Sequence, residues 1–143
     1  MKFLFLVFVV VGSLSLKSQS VTGTWKTVDD RDGAERSYVE IYETSGQLYG
    51  KITKLLKEPP EKLCDKCKGE RKDKPLQGMI VIEALSRVKD TYSNGRIYDP
   101  VTGNDYGCSI WIEPDKPNEL RVRGKHWSGI YRTQTWYRVQ SQP

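Results

Sequence analysis

Gly23-Thr24-Trp25 and Gln134-Thr135-Trp136-Tyr137-Arg138 decide the fold of this 143-residue chain, and they stand towards its two ends. Between them lie short segments in which apolar and polar residues alternate, separated by glycine-containing turns. Short strands at this spacing are typical of an all-β sandwich or barrel. A first strand with a Gly-x-Trp start and a last strand that carries arginine favour pairing of the two ends. The pattern therefore predicts an all-β fold, a single antiparallel β-barrel of about eight strands, with room for side chains or for one small ligand.

The strand count follows from the turn signals. Asn94-Gly95 predicts a two-residue hairpin turn, because both central positions of such a turn need a positive φ. This turn would separate Thr91-Tyr92 from Arg96-Ile97-Tyr98. Met79–Leu85 is interpreted as a strand, with a short helix as the alternative, and no long helix is predicted anywhere. The other predicted strands are 24–28, 37–42, 47–53, 105–112, 119–123 and 130–139.

The first twenty residues predict a signal peptide. Met1-Lys2 gives a positive start, Phe3–Leu16 is apolar, and Ser18-Gln19-Ser20 is a small-x-small cleavage context. The apolar run is shorter than the roughly 20 residues that a transmembrane helix needs. We therefore expect no transmembrane segment and an exported protein, periplasmic or secreted, with a single barrel domain over residues 21–143.

The charge balance gives little support to a nucleic-acid partner. The chain has 23 Lys+Arg and 18 Asp+Glu. Lys2 and Lys17 leave with the predicted signal peptide and no acidic residue does, so 21 basic and 18 acidic residues leave a net charge of +3. Nucleic-acid-binding modules usually concentrate basic residues on one face or carry a recognisable motif. We expect no nucleic-acid partner.

The segment 57–74 is charged and contains proline and two cysteines, without strand or helix periodicity. Loops of this length are uncommon and tend to be functional lids or disordered segments. In an exported protein Cys64-x-x-Cys67 favours a disulfide that fixes the loop locally. A thioredoxin-like site, which needs a βαβ context, is a weaker alternative. A zinc site formed with Cys108 and His126 is another, although Cys108 is more typical of a small buried apolar residue.

No set of residues predicts catalysis. The chain has neither a Gly-x-Ser-x-Gly elbow nor a phosphate-binding glycine loop before a helix. The paired carboxylates Asp29 and Asp30 are interpreted as solvated turn residues, and His126 lies in the turn before the last strand. We predict that the protein is not an enzyme and has no cofactor or resident metal. A metal or redox role for Cys64 and Cys67 is the one enzymatic alternative.

The last strand carries the candidate binding residues. If Trp136 points inward, strand alternation places Gln134 and Arg132 on the same face, with Arg138 at the end of the strand. An inward Arg132 needs a carboxylate from the protein or from a ligand. The alternative is a structural contact over Trp25 that plugs one end of the barrel, which we favour for Arg138 and leave open for Arg132. The predicted ligand-binding residues are Trp25, Tyr106, Arg132, Gln134 and Trp136.

Several motifs in order resemble one family. They are Gly23-Thr24-Trp25, Leu48-Tyr49-Gly50-Lys51-Ile52, Cys64-x-x-Cys67, Leu76-Gln77-Gly78, Gly95-Arg96-Ile97-Tyr98-Asp99-Pro100, Tyr106, Leu120-Arg121-Val122-Arg123-Gly124 and Thr133-Gln134-Thr135-Trp136. Over nearly the whole chain after residue 20, the sequence resembles a small exported bacterial family known as domain of unknown function twenty-one forty-seven. The resemblance implies a lipocalin/calycin-like β-barrel and supplies no activity.

Two functional hypotheses follow. In the first, the barrel binds a small apolar or amphipathic ligand as a carrier or sensor. In the second, the barrel is filled with side chains and the 57–74 loop contacts a protein or envelope partner.

Overall fold

The computed structural model of the chain describes residues 9–13 and 19–140, so most of the predicted signal peptide lies outside the described residues. Eight strands follow one another, and a short 3-10 helix, Gly69–Arg71, lies between the third and the fourth. In the described part of the chain no helix is long and apolar enough to cross a membrane. The strands are β1 (Gly23–Val28), β2 (Glu35–Thr44), β3 (Gln47–Leu55), β4 (Ile80–Val88), β5 (Thr91–Asp99), β6 (Asn104–Ile112), β7 (Glu119–Lys125) and β8 (Tyr131–Arg138).

The strands form a closed antiparallel barrel. Each strand pairs with the next along the chain, and β8 returns to pair with β1. At this closing pair Trp25 lies opposite Arg138, and Lys26 lies opposite Tyr137. The prediction of an all-β barrel of about eight strands, closed through the two ends of the sequence, is confirmed.

Strand alternation sets the core. On β2 the buried residues are Ser37, Val39 and Ile41, whereas Tyr38 and Glu40 between them are only half-buried. The same period of two on the other strands brings aliphatic side chains and both Trp25 and Trp136 into one interior cluster. Burial of each such aliphatic side chain contributes roughly 1.5–3 kcal/mol, which is why the alternating pattern determines the face of each strand.

The predicted hairpin turn at Asn94-Gly95 is wrong. Both residues lie inside β5, and the two-residue turn between β4 and β5 is 89–90, because Val88 pairs with Thr91. Asn94 has the positive φ that the dipeptide suggested, 65°, but it forms a bulge that shifts the register between Tyr92 and Gly95. A bulge and a hairpin turn both use left-handed residues, so the local sequence does not distinguish them.

The two ends of the barrel differ. One end, called here the closed end, carries the short connections 45–46, 89–90 and 113–118. There the guanidinium carbon of Arg138 lies 4.2 Å from the centroid of the Trp25 ring. The indole nitrogen of Trp25 donates to the Val21 carbonyl at 2.8 Å, and Arg138 Nη2 donates to the Ser20 and Pro117 carbonyls. The interpretation of Arg138 as a plug over Trp25 is confirmed, and burial lowers the pKa of this guanidinium below its ordinary value.

Candidate functional site

A cavity of about 710 Å³ occupies the opposite end of the barrel, called here the open end. Four connections surround its mouth, 29–34, 56–79, 100–103 and 126–130. Its deep walls are made by the inward side chains of six strands, which are aliphatic or aromatic there because those positions face the core. These residues include Val39, Ile52, Val81, Ile97, Val122 and Trp136.

A ladder of polar groups runs along β8 from the interior to the mouth. The indole nitrogen of Trp136 donates to Gln134 Oε1 at 2.9 Å, and Gln134 Nε2 donates to Asp30 Oδ1 at 3.0 Å. Arg132 Nε donates to the other oxygen of Asp30 at 2.9 Å. Trp136 is buried, whereas 56% of the Arg132 side chain is exposed. The carboxylate that an inward Arg132 needs is therefore supplied by the protein, on the loop between β1 and β2.

The structure brings together four of the five predicted binding residues. Tyr106, Arg132, Gln134 and Trp136 all line the cavity. Tyr106 packs against Gly124, where an added Cβ would lie 3.4 Å from the Cβ of Tyr106. Trp25 does not line the cavity, because it lies at the closed end beneath Arg138. Alternation places all of these residues on the inner face but does not specify their height along the barrel.

A charged network at the mouth was missed by the sequence analysis. Asp29 is only 3% exposed, and its carboxylate accepts from Arg31 Nη2 at 2.7 Å and from Arg36 Nε at 2.8 Å. Arg31 also reaches Asp99 at 3.0 Å and so joins the 29–34 loop to the end of β5. The hydrogen bonds from Arg31 hold the pKa of Asp29 far below its ordinary value, against the opposing effect of burial.

Asp29 is therefore not the solvated turn residue that the sequence suggested. Two arginines within seven residues of an acidic pair are a signal that could have been used to infer this network.

The 57–74 loop is a folded wall of the mouth. Cys64 and Cys67 form a disulfide, and the Cys64 backbone exchanges hydrogen bonds with Lys74 at 2.8 Å and Asp73 at 2.9 Å. The loop packs on the turn after β5, where an added Cβ at Gly103 would lie within 1.9 Å of the Lys66 carbonyl oxygen. That this loop binds a partner stays a prediction.

The four residues of the alternative zinc site do not come together. Cys64 and Cys67 are bonded to each other, and Cys108 is a free, buried cysteine on β6. The ring of His126 is in the turn between β7 and β8, where its Nδ1 lies 2.8 Å from the hydroxyl of Ser128. Burial raises the pKa of the Cys108 thiol to about 12, so this thiol is protonated at neutral pH. Residues 9–13 and 19–140 contain no group of three or more His, Cys, Asp and Glu side chains arranged to hold a metal ion.

Comparison with known proteins agrees with this architecture. Protein HP1028 from the human pathogen Helicobacter pylori, a solved structure described as belonging to the lipocalin family, superposes with a TM-score of 0.74. The two chains are 19% identical, and the match covers 86% of this chain and 85% of that chain. At this identity the likeness shows the fold alone, a lipocalin-like β-barrel. No curated protein sequence matches this chain.

The family described as "Uncharacterized protein conserved in bacteria (DUF2147)" matches residues 23–138, and this chain belongs to that family.

Proposed function

We propose that this protein is an exported carrier or sensor that binds one small apolar or amphipathic molecule inside its barrel. The observation that carries the proposal is the cavity of about 710 Å³, which is apolar at depth and polar at its mouth. Ligand sites in proteins commonly have volumes of about 300–1,000 Å³, mostly apolar walls and a few placed polar groups.

The position of the polar groups favours an amphipathic ligand over a purely apolar one. The apolar part of the ligand would lie against Val39, Val81 and Val122, and its polar end would reach Tyr106 and Arg132 nearer the mouth. Tyr106 supplies a hydroxyl group and Arg132 a guanidinium, which are donors for an oxygen-bearing head group.

Export and the lack of catalysis belong to the same proposal. The Cys64–Cys67 disulfide suits an oxidising compartment, since disulfides persist in secreted and periplasmic proteins and are rare in the cytosol. The polar side chains at the mouth form hydrogen bonds and ion pairs that join one loop to another. We therefore propose that they hold the shape of the mouth and bind the ligand, and that they catalyse no reaction.

Two measurements on protein purified from an export-competent bacterial host test the proposal. A native mass spectrum reports any bound molecule as an added mass that leaves on denaturation. Titration with 11-(dansylamino)undecanoic acid, a fluorescent amphipathic probe, reports the affinity of the cavity. We expect saturable binding of one probe per chain, and we expect Arg132→Ala to weaken it about fivefold, by loss of roughly 1 kcal/mol.

Arg96→Ala is the matched control. Arg96 also pairs with an aspartate, Asp105, and this pair is exposed on the outside of the barrel. The control should keep the affinity of the parent protein. Equal affinity in both variants, or no saturable probe binding together with a bare polypeptide mass, would contradict the proposal and favour the filled-barrel alternative, in which the 57–74 loop contacts a partner.

A further inference from the structure

The outer rim of the open end carries exposed apolar side chains beside the polar groups of the mouth. Trp127 is 92% exposed and Ile130 is 73% exposed, both in the turn between β7 and β8. Leu63 and Val101, on two other connections around the mouth, are exposed by 46% and 39%. Four apolar side chains from three loops thus project around one opening, whereas scattered single exposed apolar residues would need no explanation.

The β7–β8 hairpin, which carries Trp127 and Ile130, is also basic. After Glu119, residues 120–138 contain five arginines and lysines and no acidic residue. Arg132 pairs with Asp30 and Arg138 lies over Trp25, so three cations remain for the outer face. On the outer face of β7, Arg121, Arg123 and Lys125 follow one another at every second position, while Leu120 and Val122 face the core. The interleaving of acidic and basic residues found along the rest of the chain stops here.

The two arginines of this row contact hydroxyl groups and aromatic rings. Among the residues that the structure describes, Arg121 and Arg123 donate to the hydroxyls of Thr135 and Thr133 and to no carboxylate. The Arg123 guanidinium also lies 4.1 Å from the Tyr131 ring centroid and 5.0 Å from that of Trp111. The outer face of β7 therefore presents positive charge between aromatic rings, directly below the exposed Trp127 and Ile130.

From this arrangement we propose that the open end of the barrel docks onto an anionic lipid bilayer. Trp127 and Ile130 enter the boundary between head groups and acyl chains, where tryptophan is preferred, and the cations of β7 face the anionic head groups. The exposed isoleucine and leucine distinguish this surface from one built for a polyanion in water, which would gain nothing from them. Docking at the mouth would let an amphipathic ligand pass between bilayer and cavity without crossing water, but the docking itself does not depend on a ligand.

The test is flotation of the exported protein with vesicles of phosphatidylcholine alone or of phosphatidylcholine and phosphatidylglycerol in equal amounts. We expect binding to the anionic vesicles only, weakened by salt. Trp127→Ser should weaken it by more than about tenfold, because a tryptophan side chain buries roughly 150–250 Å². Lys125→Glu should weaken it by at least about fivefold, the effect of about 1 kcal/mol per cation near such a surface.

Matched controls lie at the closed end of the barrel. Val88→Ser removes an exposed apolar side chain there, and Lys116→Glu makes the same change of charge as Lys125→Glu. Both should bind anionic vesicles as the parent does. Trp127 is almost fully exposed, so its variant should keep the parent's thermal unfolding and, in solution without vesicles, its binding of the dansyl probe.

Three results would overturn the proposal. The first is no binding of the parent protein to anionic vesicles. The second is binding that Trp127→Ser and Lys125→Glu weaken no more than the two controls. The third is binding to heparin as tight as to anionic vesicles and insensitive to Trp127→Ser, which would assign the face to a polyanion in solution.

Discussion

Arg132 and Asp30 form an ion pair across the mouth of the barrel, with 2.8 Å between Nη2 and Oδ2, although 102 residues separate them in the chain. The other oxygen of Asp30 accepts from Gln134, which in turn accepts from the buried indole of Trp136. One carboxylate thus balances the charge of Arg132 and holds the polar ladder of β8. A ligand with an anionic head would compete with Asp30 for the same guanidinium.

Removal of the Asp30 charge should therefore raise the affinity of the cavity for ligands with an anionic head group. In Asp30→Asn the Gln134 contact can be kept, because asparagine retains one carbonyl oxygen, while Arg132 is released. We expect the affinity for 11-(dansylamino)undecanoic acid to rise about two- to fivefold, the range of an exposed ion pair. Fluorescence titration of both proteins measures this change.

The amide analogue of the same probe, which has no charged head, is the control ligand, and its affinity should not change. A drop in affinity for the anionic probe would show that Asp30 supports binding and does not compete for Arg132.

The buried Asp29 predicts a distinct loss of stability in acid. The pKa of this carboxyl is lowered in the folded protein, whereas in the unfolded chain it is about 3.9. The stabilisation is thus complete at neutral pH and is lost as the pH falls below about 4 towards the folded-state pKa. Asp29→Asn should lower the free energy of unfolding at pH 7 by about 2 kcal/mol and flatten its decrease below pH 4.

Urea denaturation between pH 7 and pH 2 measures both effects. Asp115→Asn, at an exposed position in the 113–118 connection, is the matched change. The same pH dependence in the Asp29 and Asp115 variants would show that Asp29 does not cause the loss of stability in acid.

The bulge in β5 brings the backbone of Gly95 close to β4. A Cβ at this position would lie 2.3 Å from the Glu83 carbonyl oxygen and 2.8 Å from Cδ2 of Leu85. Gly95→Ala should therefore cost about 1–3 kcal/mol of unfolding free energy, as overpacked cores do. Gly107→Ala, on the neighbouring strand, is the comparison, since its nearest contact would be 3.6 Å away, and it should cost less than about 1 kcal/mol.

Equilibrium denaturation of the two alanine variants and of the parent protein measures both losses of unfolding free energy. Equal stability of both would mean that the close approach of β4 and β5 at Gly95 relaxes without cost.

The sequence predicted some residues of the cavity and missed others. Arg132, Gln134 and Trp136 were placed together because they share one strand and one face, which a period of two determines. Trp25 has the same inward orientation, but its height in the barrel depends on the register between β1 and β8, and no local signal reports it. Local composition predicts a solvated turn at Asp30, because a contact across 102 residues of chain leaves no trace in it.

By itself the sequence determined the all-β class, the number of strands, their inner and outer faces and the closure of the barrel through its two ends. These features follow from alternation and turn chemistry, which act over a few residues. Only the tertiary structure decided that Asn94 is a bulge, that Trp25 stands outside the cavity, and that Asp30, Arg132 and the 57–74 loop surround the mouth. Each of these depends on the register and packing of segments far apart in the chain, so the free energy that selects them exists only in the folded barrel.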